Sequence, residues 1–398
     1  MKLPNHRMKN IPMSGGVYEI FQKALKLEKE GKKIIHMEIG RPDFDTPAIA
    51  KKAAIKALED GFVHYTAMAG IDELREAVAQ RAKRDIGIEA DPDSEIMITA
   101  GACEALFSIM MGLLNEGDEI LIPSPYFPAY LDQTILSGVN TVPVPLKLEN
   151  DFRLKVEDIK ERITSKTKML LINTPHNPTG SILEKEDLEE IAELAKEYDL
   201  WVISDECYDE FIFESKHISI STLPGMKERT IVVNSASKTF SMTGWRIGYV
   251  IAPAEVIKYL NKIHQNMSTC ATSFAQKGAV DAYKYGRESI NKMVKEFKRR
   301  RNLIVSYLDQ IDGIEYVKPK GAFYVFFSIK NFGMDASEFC NYILEEAGVA
   351  IVPGDSFGEY GKGFVRIAYA CSYEEVKEAM DRIKGAIEKL TVSTAADC

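Results

Sequence analysis

Long apolar runs are absent from the 398-residue sequence. The longest, ALFSIMMGLL at residues 105–114, is too short for the roughly 20 residues of a membrane-spanning helix and is typical of a buried helix. The N-terminal stretch MKLPNHRMKNIPMSGG carries charge but lacks the apolar segment of a secretory signal. These absences predict a soluble cytoplasmic protein without a membrane partner.

Paired cysteines and an excess of basic residues are absent as well. The six cysteines lie far apart with no CxxC pair, which favours reduced thiols over a disulfide framework or a zinc site. The formal net charge is −9, whereas surfaces that bind nucleic acids or anionic membranes are basic. We therefore expect neither a metal nor a nucleic-acid partner.

The chain is long enough for two domains, and 45% of its residues are hydrophobic. Short runs that are apolar throughout alternate with helical patterns from about residue 95; the runs are EIMITAG, EILIPSP, KMLLINTP, LWVISDE and TIVVNSAS. Such runs are typical of strands buried on both faces of a largely parallel sheet. The sequence therefore predicts an α/β fold, with a large domain at 41–285 whose mostly parallel central sheet is flanked by helices.

A smaller α+β domain is predicted from residues 1–40 together with 286–398. There a long charged helix pattern precedes the strand pattern GAFYVFFSI. We expect the charged run KEFKRRR to lie on the solvated face of that helix.

Polar residues follow several of the predicted strands, at the carboxyl ends where open parallel sheets bind ligands. In ITAGACEAL, the amides of Gly101, Ala102 and Cys103 stand at a helix N-terminus, which either binds an anion or is a plain turn. In NTPHNPTG, two prolines and a glycine could hold Asn177 rigidly in the cleft, although an ordinary well-made loop would look similar.

Two further strands end in chemically useful residues. VISDECYDEF carries Asp205 and Tyr208, although an acid at this place could simply cap the next helix. NSASKTFSMTGWRIGYV carries Lys238 with three residues that could surround the same anion, namely Ser235, Ser237 and Arg246. A lysine beside a bound anion, with an aspartate and a tyrosine nearby, fits an imine to pyridoxal phosphate.

The pattern SxSKxxxxxGxRxGY, after NPTG and SDExY, resembles the fold-type I, class I/II pyridoxal-phosphate-dependent aminotransferases of the aspartate and aromatic subgroup. The similarity extends from IHMEIGRPDFDTP to FVRIAYA. Each motif alone is weak, but their order and spacing together are specific. The resemblance implies ping-pong transfer of an α-amino group from an amino acid to a 2-oxo acid, catalysed by a homodimer that uses pyridoxal 5'-phosphate.

The resemblance also implies a role for each candidate residue by its position. Lys238 would be the Schiff-base lysine and proton shuttle, and Asp205 would pair with the pyridine nitrogen. Asn177 and Tyr208 would hydrogen-bond the 3-oxygen of the cofactor. Further cofactor contacts are implied for Tyr126 on the ring, for Gly101, Ala102, Cys103, Ser235, Ser237 and Arg246 around the phosphate, and for Tyr65, which would reach the phosphate of the partner subunit.

Substrate contacts follow from the same resemblance. Arg366 in FVRIAYA would bind the substrate α-carboxylate as a bidentate fork, with Gly40 and Asn177 beside it. An arginine at this position could otherwise belong to a surface ion pair.

Three kinds of function are compatible with these residues. The first is transamination. The second is another pyridoxal-phosphate reaction on the same scaffold, by a C–S β-lyase, a cyclase or an amino-acid oxidase, because these relatives share the lysine, aspartate and arginine. The third is the effector domain of a transcription regulator, which is disfavoured because no helix-turn-helix pattern precedes EIMITA.

Cys103 bears on the substrate side chain. It stands where some aspartate aminotransferases of this subgroup carry a lysine that faces the distal carboxylate of aspartate, and a thiol cannot replace that charge. The other expected walls, Val17 with its neighbouring glycines, Tyr65 of the partner and Tyr126, are apolar or aromatic. We therefore expect a broad or aromatic/aliphatic amino donor, with 2-oxoglutarate or pyruvate as acceptor. An aspartate-specific transaminase is the alternative.

Overall fold

The computed structural model describes residues 5–11 and 16–396, with side chains to residue 390. Gly15, beside the predicted pocket wall, and Cys398 lie outside the described residues. The α-helices are α1 (His6–Asn10), α2 (Val17–Lys29), α3 (Ala48–Glu59), α4 (Asp72–Arg81), α5 (Ala102–Leu113), α6 (Ala129–Ser137), α7 (Val156–Lys160), α8 (Lys185–Glu197), α9 (Ala236–Thr239), α10 (Ala254–Met267), α11 (Ser273–Tyr285), α12 (Arg287–Leu308), α13 (Ala336–Ala347) and α14 (Tyr373–Ala396). The strands are β1 (Ile35–His36), β2 (Ile96–Thr99), β3 (Glu119–Ser124), β4 (Asn140–Pro145), β5 (Thr167–Asn173), β6 (Trp201–Asp205), β7 (Thr230–Ser235), β8 (Gly248–Ile251), β9 (Glu315–Tyr316), β10 (Tyr324–Ser328), β11 (Val349–Ala350), β12 (Val352–Pro353) and β13 (Phe364–Ala368).

Apolar strands form a central seven-stranded sheet with the order β2-β8-β7-β6-β5-β3-β4. Neighbours from β7 to β4 pair in parallel, whereas β8 is antiparallel to both β2 and β7. Every residue of β2, β7 and β8 is buried, as expected for strands that are covered on both faces. The predicted α/β fold with a mostly parallel sheet is confirmed.

The edge strand β4 is one that the sequence pattern did not indicate. Its residues NTVPVP include Pro143 and Pro145, which lack a backbone donor and are therefore confined to sheet edges. β4 pairs with β3 alone, so this edge position accommodates both prolines.

The helix α12 follows the predicted charged pattern but buries part of it. Ile290, Met293 and Phe297 face the core at helical spacing. The expectation of a solvated KEFKRRR face is wrong for two arginines, since Arg300 and Arg301 are buried. Carboxylates neutralise both guanidinium groups: Arg300 contacts Asp43 and Glu296, and Arg301 contacts Glu214.

The C-terminal third forms a four-stranded antiparallel sheet with the order β12-β13-β10-β9. The N-terminal strand β1 pairs in parallel with β11, which places Ile35 opposite Val349. Side chains from both parts of the chain, among them Ile35 and Phe339, share one core. The exact domain boundaries, 41–285 against 1–40 with 286–398, stay a prediction.

Among the residues that the structure describes, none of the helices combines the length and the apolar character needed to cross a membrane.

Candidate active site

A cavity of about 640 Å³ lies at the carboxyl ends of β2, β5, β6 and β7. Its walls also come from α2, from residues 38–40 and from β13 of the smaller sheet. Most predicted site residues line it, namely Gly40, Ala102, Cys103, Tyr126, Asn177, Asp205, Tyr208, Ser235, Ser237, Lys238, Arg246 and Arg366. Parallel strands therefore bring these distant sequence motifs together at one sheet edge.

Two predicted residues do not line this cavity. Gly101 lies one position before Ala102, in the backbone that supports the cavity wall. Tyr65 lies elsewhere on the surface with 84% of its side chain exposed. The described chain by itself therefore does not bring Tyr65 to the other predicted site residues.

The turn before α5 depends on glycine. Gly101 has a φ of 87°, which is in the left-handed region, and a Cβ there would lie 2.2 Å from Nη2 of Arg246. Gly248 on β8 packs against the same turn, since its Cβ would lie 2.6 Å from the Gly101 carbonyl carbon. Arg246 also donates from Nη2 to the Ala100 carbonyl oxygen at 3.2 Å. The start of α5, with its free amides, and Arg246 are thus adjacent, and Ser235 and Ser237 line the same cavity.

Lys238 lies in α9 directly after β7, with its ammonium in the cavity wall. Its Nζ donates to the Gly40 carbonyl oxygen at 2.5 Å. Desolvation lowers the pKa of Lys238 to about 8, and the positive charges of Arg366 and Arg246 act in the same direction. Lys238 therefore loses its proton more easily than a surface lysine does.

Asp205 ends β6 as a buried carboxyl. Its Oδ2 accepts from the Tyr130 hydroxyl at 2.7 Å, and its Oδ1 accepts from the Cys207 amide at 3.1 Å. Burial raises the pKa of Asp205, although these hydrogen bonds act against the rise. The capping alternative is not supported, because turns rather than a helix follow β6.

Arg366 is 4% exposed and points into the cavity from β13. It donates from Nη1 to Oδ1 of Asn177 at 3.0 Å and from Nη2 to the Glu38 carbonyl oxygen at 2.5 Å. The guanidinium carbon lies 4.6 Å and 4.7 Å from the ring centroids of Tyr324 and Phe357. Among the described residues, the hydrogen-bond partners of Arg366 are an amide oxygen and a carbonyl oxygen rather than a carboxylate, and its Nε has no partner, so it is a buried cation and not part of a surface ion pair.

Sequence reasoning missed several contacts of this site. Tyr130 binds Asp205, and the Tyr324 hydroxyl shares a 2.8 Å hydrogen bond with that of Tyr208. Phe127, next to the predicted Tyr126, also lines the cavity and packs edge-on against Tyr130 at 5.6 Å. The cluster of aromatic residues in PYFPAY was a usable signal for Tyr130 and Phe127, whereas nothing local pointed to Tyr324, 116 residues from Tyr208.

Comparison with known proteins identifies the family. The model of the family "Aminotransferase class I and II" matches residues 32–383. An aspartate aminotransferase of Pyrococcus abyssi is 48% identical over 90% of this chain and 94% of its own length. The aromatic-amino-acid aminotransferase 2 of Thermococcus litoralis is 45% identical over 89% of this chain and 92% of its own.

A solved structure gives the same answer for the fold. The aromatic aminotransferase of Pyrococcus horikoshii superimposes with a TM-score of 0.88 at 45% identity, covering 92% of this chain and 98% of that one. Members of the family use pyridoxal phosphate. The predicted resemblance is confirmed: the chain belongs to the class I and II aminotransferases and is an enzyme that transfers amino groups.

Proposed function

We propose that this chain binds pyridoxal phosphate in the cavity and with it transfers the α-amino group of an amino acid to a 2-oxo acid in a ping-pong reaction. One observation carries the proposal. A single cavity holds a lysine of lowered pKa, a buried aspartate at a strand end and a buried arginine that lacks a carboxylate partner among the described residues. These are the groups needed for amine exchange, for stabilising a protonated ring nitrogen and for binding an α-carboxylate.

The phosphate of the cofactor fits the turn before α5. The first amides of this 12-residue helix have no partner within the helix, and the helix dipole favours an anion there. Gly101 and Gly248 keep the turn free of side chains that would displace Arg246 or the backbone. The amides of Ala102 and Cys103, with Arg246 and the Ser235 and Ser237 hydroxyls, would hold the phosphate.

The ring of the cofactor fits between Asp205 and the aromatic wall. Asp205 would face the ring nitrogen, and its carboxylate would keep a proton there. Tyr208 and Asn177 would bind the 3-oxygen, with Tyr126 against the ring. When bound, the cofactor supplies an aldehyde that takes up the amino group and an electron-poor ring that accepts the electron pair released at the substrate Cα.

The substrate would be held by its α-carboxylate. Arg366 has an unpartnered Nε and fixed aromatic neighbours, so it can accept a carboxylate without first breaking an ion pair. Asn177 and Gly40 lie beside it. In this orientation Nζ of Lys238, uncharged above its pKa of about 8, would take the proton from the substrate Cα and pass it to the cofactor carbon that bears the transferred nitrogen.

A half-reaction screen tests the proposal. Each amino acid is added to the purified protein loaded with pyridoxal phosphate, and absorbance reports conversion of the bound aldehyde form into the amine form. We expect conversion by amino donors and its reversal by a 2-oxo acid. Release of pyruvate and ammonia without an acceptor would instead identify a lyase.

The donor preference is a testable prediction of the same site. The Cys103 side chain is exposed to the cavity, and desolvation by the surrounding walls raises the pKa of its thiol, so at neutral pH this position offers no charge to a distal carboxylate. We expect phenylalanine, leucine, methionine or alanine to match or exceed aspartate in kcat/KM. Cys103→Lys should raise kcat/KM for aspartate by roughly tenfold or more, the scale of a desolvated ion pair, whereas Cys103→Met should not.

The half-reaction assay checks both expectations. A wild-type kcat/KM for aspartate at least tenfold above those of all four other donors would contradict the preference. 2-Oxoglutarate and pyruvate are the acceptors to compare.

Tyr65 leads to a prediction about assembly. Its exposed ring has exposed apolar neighbours in Val63 and Met68, which suits contact with a second copy of the chain. We propose a homodimer in which Tyr65 reaches the cofactor phosphate of the other subunit. Tyr65→Phe should weaken pyridoxal-phosphate binding by about 1 kcal/mol, the scale of one hydrogen bond or slightly more for a charged acceptor.

Dilution provides the second measurement for Tyr65. Because the hydroxyl acts only in the dimer, the cofactor should bind more weakly below the dimer dissociation constant. Tyr285→Phe, at another exposed tyrosine, is the matched control and should change neither quantity. Full activity from a monomer at assay concentration would rule out the shared site.

A further inference from the structure

A buried polar cluster lies behind the turn that precedes α5. It consists of Glu104 in the first turn of α5, His264 near the end of α10, and Ser268 just beyond α10, and is named the Glu104 cluster here. One carboxylate oxygen of Glu104, Oε1, contacts Nδ1 of His264 and accepts from the Ser268 hydroxyl at 3.1 Å. His264 is fully buried. The cluster therefore connects two helices that pack behind the cavity wall.

The other oxygen of Glu104 acts on the turn itself. Oε2 accepts from the Ala100 amide at 2.5 Å, while the Ala100 carbonyl oxygen accepts from Arg246 at 3.2 Å. The Ala100 amide is thus bound by Glu104, and the Ala100 carbonyl oxygen is bound by Arg246, which we propose holds the phosphate. Gly101 follows directly, and its left-handed backbone leads into the amides of Ala102 and Cys103.

His264 affects the charge state of Glu104. Burial raises the pKa of Glu104, but hydrogen bonds from His264, Ala100 and Ser268 outweigh this effect and hold the pKa below its ordinary value. A carboxylate so near a phosphate site opposes an incoming anion unless donors disperse its charge. His264 and Ser268 supply those donors, and neither residue lines the cavity.

We propose that Glu104 and His264 are positioning residues for the cofactor phosphate. Glu104 fixes the Ala100 peptide, and through it both the α5 amides and Arg246, before the phosphate arrives. His264 orients the Glu104 carboxylate and limits its repulsion of the phosphate. A prearranged turn binds more tightly because little ordering remains to be done on binding. The inference rests on the proposed binding of pyridoxal phosphate.

The test compares two probes, pyridoxal 5'-phosphate and pyridoxal, on the cofactor-free full-length protein. Pyridoxal has the same ring but lacks the phosphate, so the change in the ratio of the two dissociation constants between variant and wild type isolates the phosphate contribution. His264→Leu should weaken pyridoxal 5'-phosphate binding by roughly tenfold, the scale of a hydrogen bond to a charged group. Pyridoxal binding should stay unchanged. His264→Asn, which can place a donor near the Nδ1 position, should recover most of the loss.

Controls separate positioning from general stability. Asp187→Asn removes the charge from another ion pair, between the buried Asp187 and the partly buried Arg153, neither of which lines the cavity. It should lower the unfolding temperature without changing either dissociation constant. If His264→Leu does not fold, Ser268→Ala serves instead, with a two- to threefold loss expected for pyridoxal 5'-phosphate alone.

Equal losses for both probes, or no loss for either, would overturn the positioning role. Failure of the wild type to bind pyridoxal 5'-phosphate would instead refute the proposed function.

Discussion

Lys238→Ala should keep the cofactor bound but lose its borohydride-stable linkage and lower turnover by about 10⁴-fold or more, because one side chain is both nucleophile and proton carrier. The phosphate contacts at the α5 turn do not involve the lysine, so binding should persist. Absorbance and mass spectrometry after borohydride reduction measure the linkage. Exposed Lys284→Ala is the matched control and should behave as wild type.

The wild-type protein offers an independent check of Lys238. Its pKa is lowered to about 8, so the fraction of uncharged amine rises with pH and levels off above that value. The rate of linkage to pyridoxal phosphate in the cofactor-free protein should follow the same curve. Peptide mapping that finds the reduced label on another lysine would disprove the assignment.

Asp205→Asn should preserve the fold and lower kcat by at least about 100-fold, equivalent to roughly 3 kcal/mol, the scale of one preorganised electrostatic contact. Asparagine keeps the shape of the side chain and can still accept from the Cys207 amide. It cannot supply the negative charge that holds a proton on the ring nitrogen. Steady-state kinetics with a donor from the half-reaction screen measures the loss.

Although Asp205→Asn should lower kcat, it should not lower the thermal stability of the cofactor-free protein. Burial raises the folded-state pKa of Asp205 above its unfolded value, so the ionised carboxyl destabilises the cofactor-free protein once the pH exceeds the unfolded pKa. Asparagine removes this cost, so the melting temperature of the cofactor-free variant near pH 7 should be no lower than that of the wild type.

A near-normal kcat for Asp205→Asn would refute the pairing of Asp205 with the ring nitrogen.

Much of the site could be predicted because its residues sit at strand ends. Uniformly apolar runs located β5, β6 and β7, and parallel pairing then required Asn177, Asp205 and Lys238 to lie at one edge. This inference needs only the order of elements and their polarity. The same rule failed for β4, because its prolines hide an edge strand among turn signals.

The missed contacts depend on approach between distant elements. Tyr324 meets Tyr208 only because β10 of the smaller sheet packs beside the turns after β6. In the sequence, Glu104 looks like a common acidic residue in the first turn of a helix, and its partner His264 is 160 residues away. No local periodicity records such pairs. The buried Arg300 and Arg301 were mistaken for surface charges for the same reason, since Asp43 and Glu214, which neutralise them, come from distant parts of the chain.

Arg366 affects how the stability of this protein should be measured. Its guanidinium is buried, lies close to two aromatic rings and lacks a carboxylate partner among the described residues, so we expect it to bind small organic anions. An anion that binds only the folded state stabilises it by mass action, by about 2.7 kcal/mol at a concentration 100-fold above its Kd. Acetate, citrate or maleate in a buffer would therefore raise the melting temperature. Melting temperatures of cavity variants are comparable only when they are measured in one buffer with weakly binding anions.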